Sequence, residues 1–348
     1  MNMVDLYKTR TMLGAVEVIP SNESFLLDTF CGNPEVFPTE SFDIDFVKGK
    51  KKMAPFVAKY KNGIQMERNV VATKNYEPAK IQPKRPLTVE TLEKRLAGEA
   101  LYSGKTPAQR ASELLIRDLR ELKDFIDRRK EWIISKVLTS GKFVANVYTD
   151  ADSYYEEEFD YGHTLQENIT KKWTADNAET STPIDDLQAM AERVAAGCGK
   201  YPTIVVMGAE ALKGFLASKQ VKDYFDNRNY NFGSLAPSIT STQVQYIGRL
   251  FRPNVEIYTY AEGYIDEKTG ELNKFIPDNK VIIACKELFS MKYGAVTQLE
   301  NGEFNTYMGE LVPKYDAIDS ENVTTLTLTS RPVPVAFDVD AWGILTVV

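Results

Sequence analysis

Histidine is nearly absent from this chain. His163 is the only one in 348 residues, which excludes a histidine-rich metal site and leaves imidazole acid–base chemistry to a single side chain. Its neighbours Tyr161, Gly162 and Thr164 suggest a turn rather than a reactive site. Cysteine is scarce as well. Cys31, Cys198 and Cys285 are odd in number and widely spaced with no CxxC pair, so they fit a reducing compartment and buried small hydrophobes better than a disulfide framework. No run of about 18 apolar residues exists, and Met1-Asn2-Met3-Val4-Asp5-Leu6 is not a basic stretch leading into an apolar one, so nothing addresses the chain to a membrane or to secretion.

The sequence motifs of enzymes are missing too. There is no GxSxG, HExxH, GxGxxG or GxxxxGK[ST], so nucleophile-elbow, zincin, dinucleotide and P-loop readings have no anchor. A calcium loop begins at Asp150-Ala151-Asp152 but fails, with Tyr155 where glycine and Tyr161 where glutamate are needed. The acidic run Glu156, Glu157, Glu158 and Asp160 reads as a solvated loop. The expected sets of catalytic, metal-binding and cofactor-binding residues are empty, and no enzyme is expected.

What is present is an ordinary globular balance, 43% hydrophobic and 26% charged, long enough for one large or two joined domains. The charge is unevenly spread. Residues 46–86 hold eleven Lys or Arg against Glu67 and Glu77, a +9 segment in a chain of net charge −7, which leaves −16 for the remainder. Such segregation suggests that the basic segment meets an acidic surface, including one on another copy. Phosphate contact by the cluster from Lys48 to Lys52 is the second option, and the acidity of the rest favours a protein partner.

Residues 1–45 carry turn formers (Gly14, Pro20, Gly32-Asn33-Pro34, Pro38) between short apolar pieces and read as an extended arm. Asn62-Gly63, flanked by Phe56-Val57-Ala58-Lys59-Tyr60 and Ile64-Gln65-Met66-Glu67-Arg68, predicts a β-hairpin. Pro78, Pro83 and Pro86 keep the return path extended and out of any central strand. Thr106-Pro107 starts a helix that Gly141 stops. Ala111, Leu115, Leu119, Leu122, Ile126, Ile133 and Val137 give it one apolar stripe, over a length of about 50 Å. A second helix runs from Thr182-Pro183 to Gly197, followed by a strand at 203–207, a helix at 209–218, a strand at 255–260 and a hairpin loop at 266–271. Residues 281–285 form a continuous apolar run, hence a central strand, and 323–329 and 333–348 supply the last strands, with Pro332 and Pro334 at an edge or bend.

Phe275-Ile276-Pro277-Asp278-Asn279, with the hairpin before it and the apolar strand after it, resembles the FLPDN-plus-strand pattern of the lambda-like phage capsid protein E family. The ending Ser330-Arg331-Pro332-Val333-Pro334 through Asp338-Val339-Asp340 is similar to that family's SAPLM…DPD strand, and the order of parts agrees, with Pro83-Lys84 leaving the hairpin before a long arginine-rich helix. The resemblance implies an α+β chain of the Hong-Kong-97-type capsid fold. In it, 1–45 would be an N-terminal arm, 46–90 an extended loop, 91–182 a peripheral domain with spine helix 107–139, 183–322 an axial domain, and 323–348 strands returning to the peripheral domain. It implies the major head protein of a tailed phage or prophage, assembling into pentamers and hexamers of an icosahedral shell around double-stranded DNA. Assembly would take place in the host cytoplasm, with separate scaffold, portal and decoration proteins, non-specific contact to the packaged DNA and no membrane partner. Lys48, Lys50, Lys51, Lys52, Lys59, Lys61 and Arg68 would then meet Glu156, Glu157, Glu158 and Asp160 across a subunit boundary. An encapsulin-like compartment and an enzyme of unknown class are the alternatives.

Overall fold

The computed structural model describes residues 9–19, 24–48, 70–88, 106–150, 153–226, 233–239, 243–300, 302–318 and 323–348. Its helices are α1 (Thr9–Val18), α2 (Phe25–Phe30), α3 (Pro107–Ser140), α4 (Pro183–Cys198), α5 (Ala209–Ala217) and α6 (Lys219–Asp226). A full capping box starts α3: Gln109 N donates to Thr106 Oγ1 at 3.3 Å and Thr106 N to Gln109 Oε1 at 3.0 Å. Gly141 ends it in the left-handed conformation, φ 74°, donating its N–H to Val137 O. All seven residues of the expected stripe are buried.

A seven-stranded sheet forms the body, in the order Gln166–Asn168, Trp342–Thr346, Lys280–Ala284, Ile204–Met207, Asn254–Tyr260, Val244–Phe251, Gly233–Ile239. Lys280–Ala284 is central as expected, antiparallel to both neighbours, with Ile283 opposite Gly343 and Val205. Helices α3 and α4 both rest on Lys280–Ala284 and Trp342–Thr346. With helices against it, the strand buries successive residues 281–284, which is why it reads as an unbroken apolar run rather than an alternation.

The Pro277-Asp278 turn is locked against the start of α5. Ala211 N donates to Asp278 O at 2.9 Å and Gly208 N to Lys280 O at 3.0 Å. A Cβ on Gly208 would stand 2.2 Å from Pro277 O, so only glycine lets the two backbones approach this closely. The motif is thus a joint between strand Ile204–Met207, α5 and the central strand. The expected hairpin around 266–271 pairs Gly263–Ile265 with Leu272–Lys274, and Gly270 adopts φ 70°. Pro332 and Pro334 lie on an edge strand, Pro332–Ala336, of a three-stranded sheet with Phe289–Tyr293 and Glu35–Val36.

Four expectations change. The arm is not extended throughout, because Met12, Val16 and Ile19 sit at helical spacing and bury against α3, so packing stabilises a helix too short to stand alone. Helix α4 continues past Gly197 and stops at Gly199, which takes the left-handed conformation. The acidic run is a strand, Tyr154–Asp160, paired along its whole length with Lys142–Tyr148. Phe143 and Phe159 stack across that pair at 4.6 Å, and one buried aromatic pair holds the register while Glu156 and Glu158 face outward. Finally, the boundary at 322/323 falls within a hairpin. Val312–Ile318 and Val323–Thr329 are antiparallel neighbours, and Lys84–Thr88 adds the third strand.

Phe42–Lys48 pairs with Val70–Tyr76, which forms the base of the basic segment. The predicted hairpin tip at Asn62-Gly63 and its flanking strands lie outside the described residues.

Candidate functional site

Five charged residues of α3, Asp118, Lys123, Asp127, Lys130 and Glu131, are buried beside its apolar stripe. Each buried charge needs a partner, and here several partners belong to the segments that flank the helix in sequence. Lys123 Nζ donates to Ile19 O at 2.5 Å, just past the C-terminal end of α1. Glu131 accepts from Leu26 N at 2.8 Å and Leu27 N at 2.9 Å at the N-terminal end of α2, where Ser24 provides no side-chain cap. A cation at a C-terminus and an anion at an N-terminus match the helix dipoles, so α3 caps both arm helices from outside. Burial pushes the Glu131 carboxyl up to about 7, against the downward pull of those two N–H groups and Tyr260.

Lys130 is fully buried. Its Nζ meets Asp127 Oδ1 at 3.2 Å and Glu310 Oε1 at 2.5 Å and lies 5.2 Å over the Tyr293 ring. Tyr293 OH donates to the same Glu310 oxygen at 2.9 Å. Burial acts to raise the Glu310 carboxyl, but the Lys130 charge and the two hydrogen bonds leave it below its ordinary value. Further along, Arg85 on strand Lys84–Thr88 pairs with Asp118 at 2.9 Å and with Glu121, which Arg117 also holds. The helix therefore fixes three things by charge: the arm, the loop's return strand, and residue 310 beside the small sheet.

None of this was read from the sequence, although a signal existed. Position 130 falls four residues after Ile126 and three before Ile133, on the apolar stripe itself, and it is a lysine.

Of the residues singled out beforehand, Lys50, Lys51, Lys52, Lys59, Lys61 and Arg68 lie outside the described residues, and Lys48 is described only as the end of its strand. Glu156, Glu157, Glu158 and Asp160 share one strand. Glu156 pairs with Lys268 at 3.3 Å and Glu158 with Lys142 at 2.6 Å, while Asp160 accepts from Gly162 N at 2.8 Å. Burial, and then the charge of Glu77 at the base of the basic segment, push the Glu157 carboxyl up. The acidic strand thus stands near the loop base of its own subunit, with two of its glutamates already engaged internally.

His163 follows Gly162, which adopts φ 67°, so the turn is present. Its ring stacks on Trp342 at 4.3 Å, and Nε2 donates to Trp342 O at 2.9 Å, leaving Nδ1 buried and unpaired. Burial lowers its pKa, and the neutral ring serves as packing.

A long helix bedded on a twisted sheet, an arm folded along it and a loop base at its N-terminal half are the parts of a shell subunit, and the fold is the Hong-Kong-97-type capsid fold. A crystal structure of a prophage protein described as a capsid protein, from Escherichia coli CFT073, superposes with a TM-score of 0.68 at 19% identity, covering 100% of this chain and 99% of that one. The capsid of cyanophage P-SCSP1u gives 0.52 at 10% identity, covering 94% and 89%. The major capsid protein of Escherichia phage lambda is 22% identical over 300 residues, 84% of either chain. The P21 prophage-derived major head protein of Escherichia coli O6:H1 strain CFT073 is 21% identical over 348 residues, 98% of this chain and 99% of that protein. The model of the phage major capsid protein E family matches residues 8–347, and the chain belongs to that family. Its members are structural shell proteins rather than enzymes.

Proposed function

We propose that this chain is the repeating subunit of a tailed-phage or prophage head, closing as pentamers and hexamers into an icosahedral shell around double-stranded DNA. The family match along nearly the whole chain carries this reading. Residues 1–45 act as an arm, 46–90 as an extended loop and α3 as the spine of a peripheral domain. The axial domain spans 183–311. Because Val312–Ile318 and Val323–Thr329 share a sheet with Lys84–Thr88, the peripheral unit takes in the chain from Val312 onward as well. The last strand, Trp342–Thr346, sits in the large sheet and ties the two units together.

In this reading Lys48, Lys50, Lys51, Lys52, Lys59, Lys61 and Arg68 lie across a neighbouring copy and meet its acids, among them Glu156, Glu157, Glu158 and Asp160. The +9 charge of residues 46–86 in a chain of net charge −7 supports it. Separate scaffold, portal and decoration proteins complete the head, and assembly takes place in the host cytoplasm. Exposed ion pairs contribute only about 0–1 kcal/mol each, so no single lysine is essential, but their repetition around a closed shell biases register and rate.

Electron microscopy of the expressed protein should show shells or capsomers. A chain carrying Lys50→Glu, Lys51→Glu and Lys52→Glu should stay folded, assemble poorly and lose the parent's salt dependence. Parental shell yield and salt dependence in that variant would refute the clamp. A parent that stays monomeric with its scaffold present would refute the shell reading.

A further inference from the structure

Two cysteines distant in sequence meet at one carbonyl. Cys198 ends α4 and Cys285 follows the central strand. The Cys198 thiol donates to Lys200 O at 3.3 Å, and the Cys285 thiol is aimed at the same oxygen at 3.9 Å. Both thiols thus face one oxygen from within 4 Å. Cys285 is buried in the large core, whereas Cys198 is partly open to solvent. The third cysteine, Cys31, lies elsewhere, beside Glu131 and Asp28, and burial pushes its thiol far up.

We propose that Cys198 and Cys285 are a modification site, closing to a reversible intrachain disulfide when the protein meets a disulfide oxidant of the glutathione type. The accessible partner reacts first. The Cys198 thiolate attacks one sulfur of oxidised glutathione, its S–S bond breaks, and one glutathione thiolate leaves. Cys285 then loses its proton, its sulfur attacks Cys198 Sγ, the mixed disulfide breaks and a second glutathione departs. Two protein thiols and one oxidised glutathione give one protein disulfide and two reduced glutathiones. Burial, and then the neighbouring Cys198, push the Cys285 thiol up to about 12, so the second step is the slow one. The sulfurs, both held at the Lys200 carbonyl, must close to about 2.05 Å. The bond fastens the end of α4 to the edge of the central strand. A subunit built in a reducing cell would thus gain a cross-link on release into an oxidising medium.

The test uses the full chain without denaturant: incubation with oxidised glutathione, alkylation, digestion and mass spectrometry. The expected product is a peptide pair joining Cys198 to Cys285, lighter by two hydrogens and released by dithiothreitol, with Cys31 alkylated only after unfolding. In Cys285→Ser the resolving sulfur is gone, so glutathione should persist on Cys198, whereas the parent should shed it. Should Cys285→Ser not fold, the parent measurement decides alone. Persistent glutathione on Cys198 of the parent with no linked pair would overturn the proposal. So would the absence of reaction at both thiols, or links to Cys31 at equal frequency, which mark unfolded chains.

Discussion

The two halves of α3 rest on different kinds of surface. Its C-terminal half buries Ile133, Ile134, Val137 and Leu138 in the large core with the seven-stranded sheet. Its N-terminal half buries Leu115, Leu119, Leu122 and Ile126 with Met12 and Val16 of the arm and Leu326 and Leu328 of the small sheet. At the first surface the sheet specifies the position, because backbone pairing fixes the register of 204–207, 280–284 and 342–346. At the second, helix α1 has no ladder to locate it on α3, and apolar burial is non-directional. Lys123 supplies the direction there, and Glu131 does the same for the N-terminus of α2, whose Leu26 and Phe30 join the large core. Buried charges add little net stability but are costly to leave unpaired, so they position a segment more than they strengthen it.

The largest effect should come from breaking the first surface. Ile283→Asp puts an unpaired carboxylate in the central strand at a cost of several kcal/mol, comparable with the stability of a whole domain, so thermal unfolding should lose its cooperative transition. A soluble, assembly-competent variant would show that strand to be exposed. Next comes Lys130→Met, which strips Asp127 and Glu310 of their cation and should cost about 3–5 kcal/mol in urea unfolding. Adding Glu310→Gln should recover part of the loss, and an additive double variant would mean the two do not interact.

Glu131 gives a pH signature. Its carboxyl titrates near 7 in the fold against 4.5 ordinarily, so the folded protein holds the proton more tightly. The associated stability is complete below about pH 4.5 and is lost as pH rises through about 7, up to about 3 kcal/mol. The difference in urea midpoint between the parent and Glu131→Gln should change sharply across that window, and a flat difference would remove Glu131 as its source. His163 has the opposite sign and the smallest effect. Burial lowers its pKa, so the neutral ring's contribution is present above about 6.5 and falls as the pH drops below it. His163→Ala should cost about 1–2 kcal/mol through the lost Trp342 stacking, with no change in any chemistry, as unfolding midpoints would report.

The legible parts of the sequence were those written in local code. Thr106-Pro107 and Gly141 bracket α3, the apolar run at 281–285 sits at the sheet centre, and Pro277-Asp278 makes the turn into it. The illegible parts depend on distant partners. Lys123 and Glu131 look like solvent-facing charges until Ile19, Leu26 and Leu27 are folded onto them, more than a hundred residues away in sequence. The acidic strand was missed because its glutamates mask the Phe143–Phe159 pair that holds it. Arg85 gave no hint of Asp118, since the pairing exists only once the loop's return strand lies along α3.

Amide hydrogen exchange, resolved by residue, on the parent and on Glu131→Gln tests most directly whether charge places the arm. Exchange should accelerate at Leu26, Leu27 and the rest of α2, while the amides of Lys280–Ala284 keep their protection. Equal acceleration at α2 and at Lys280–Ala284, or none at α2, would contradict the account.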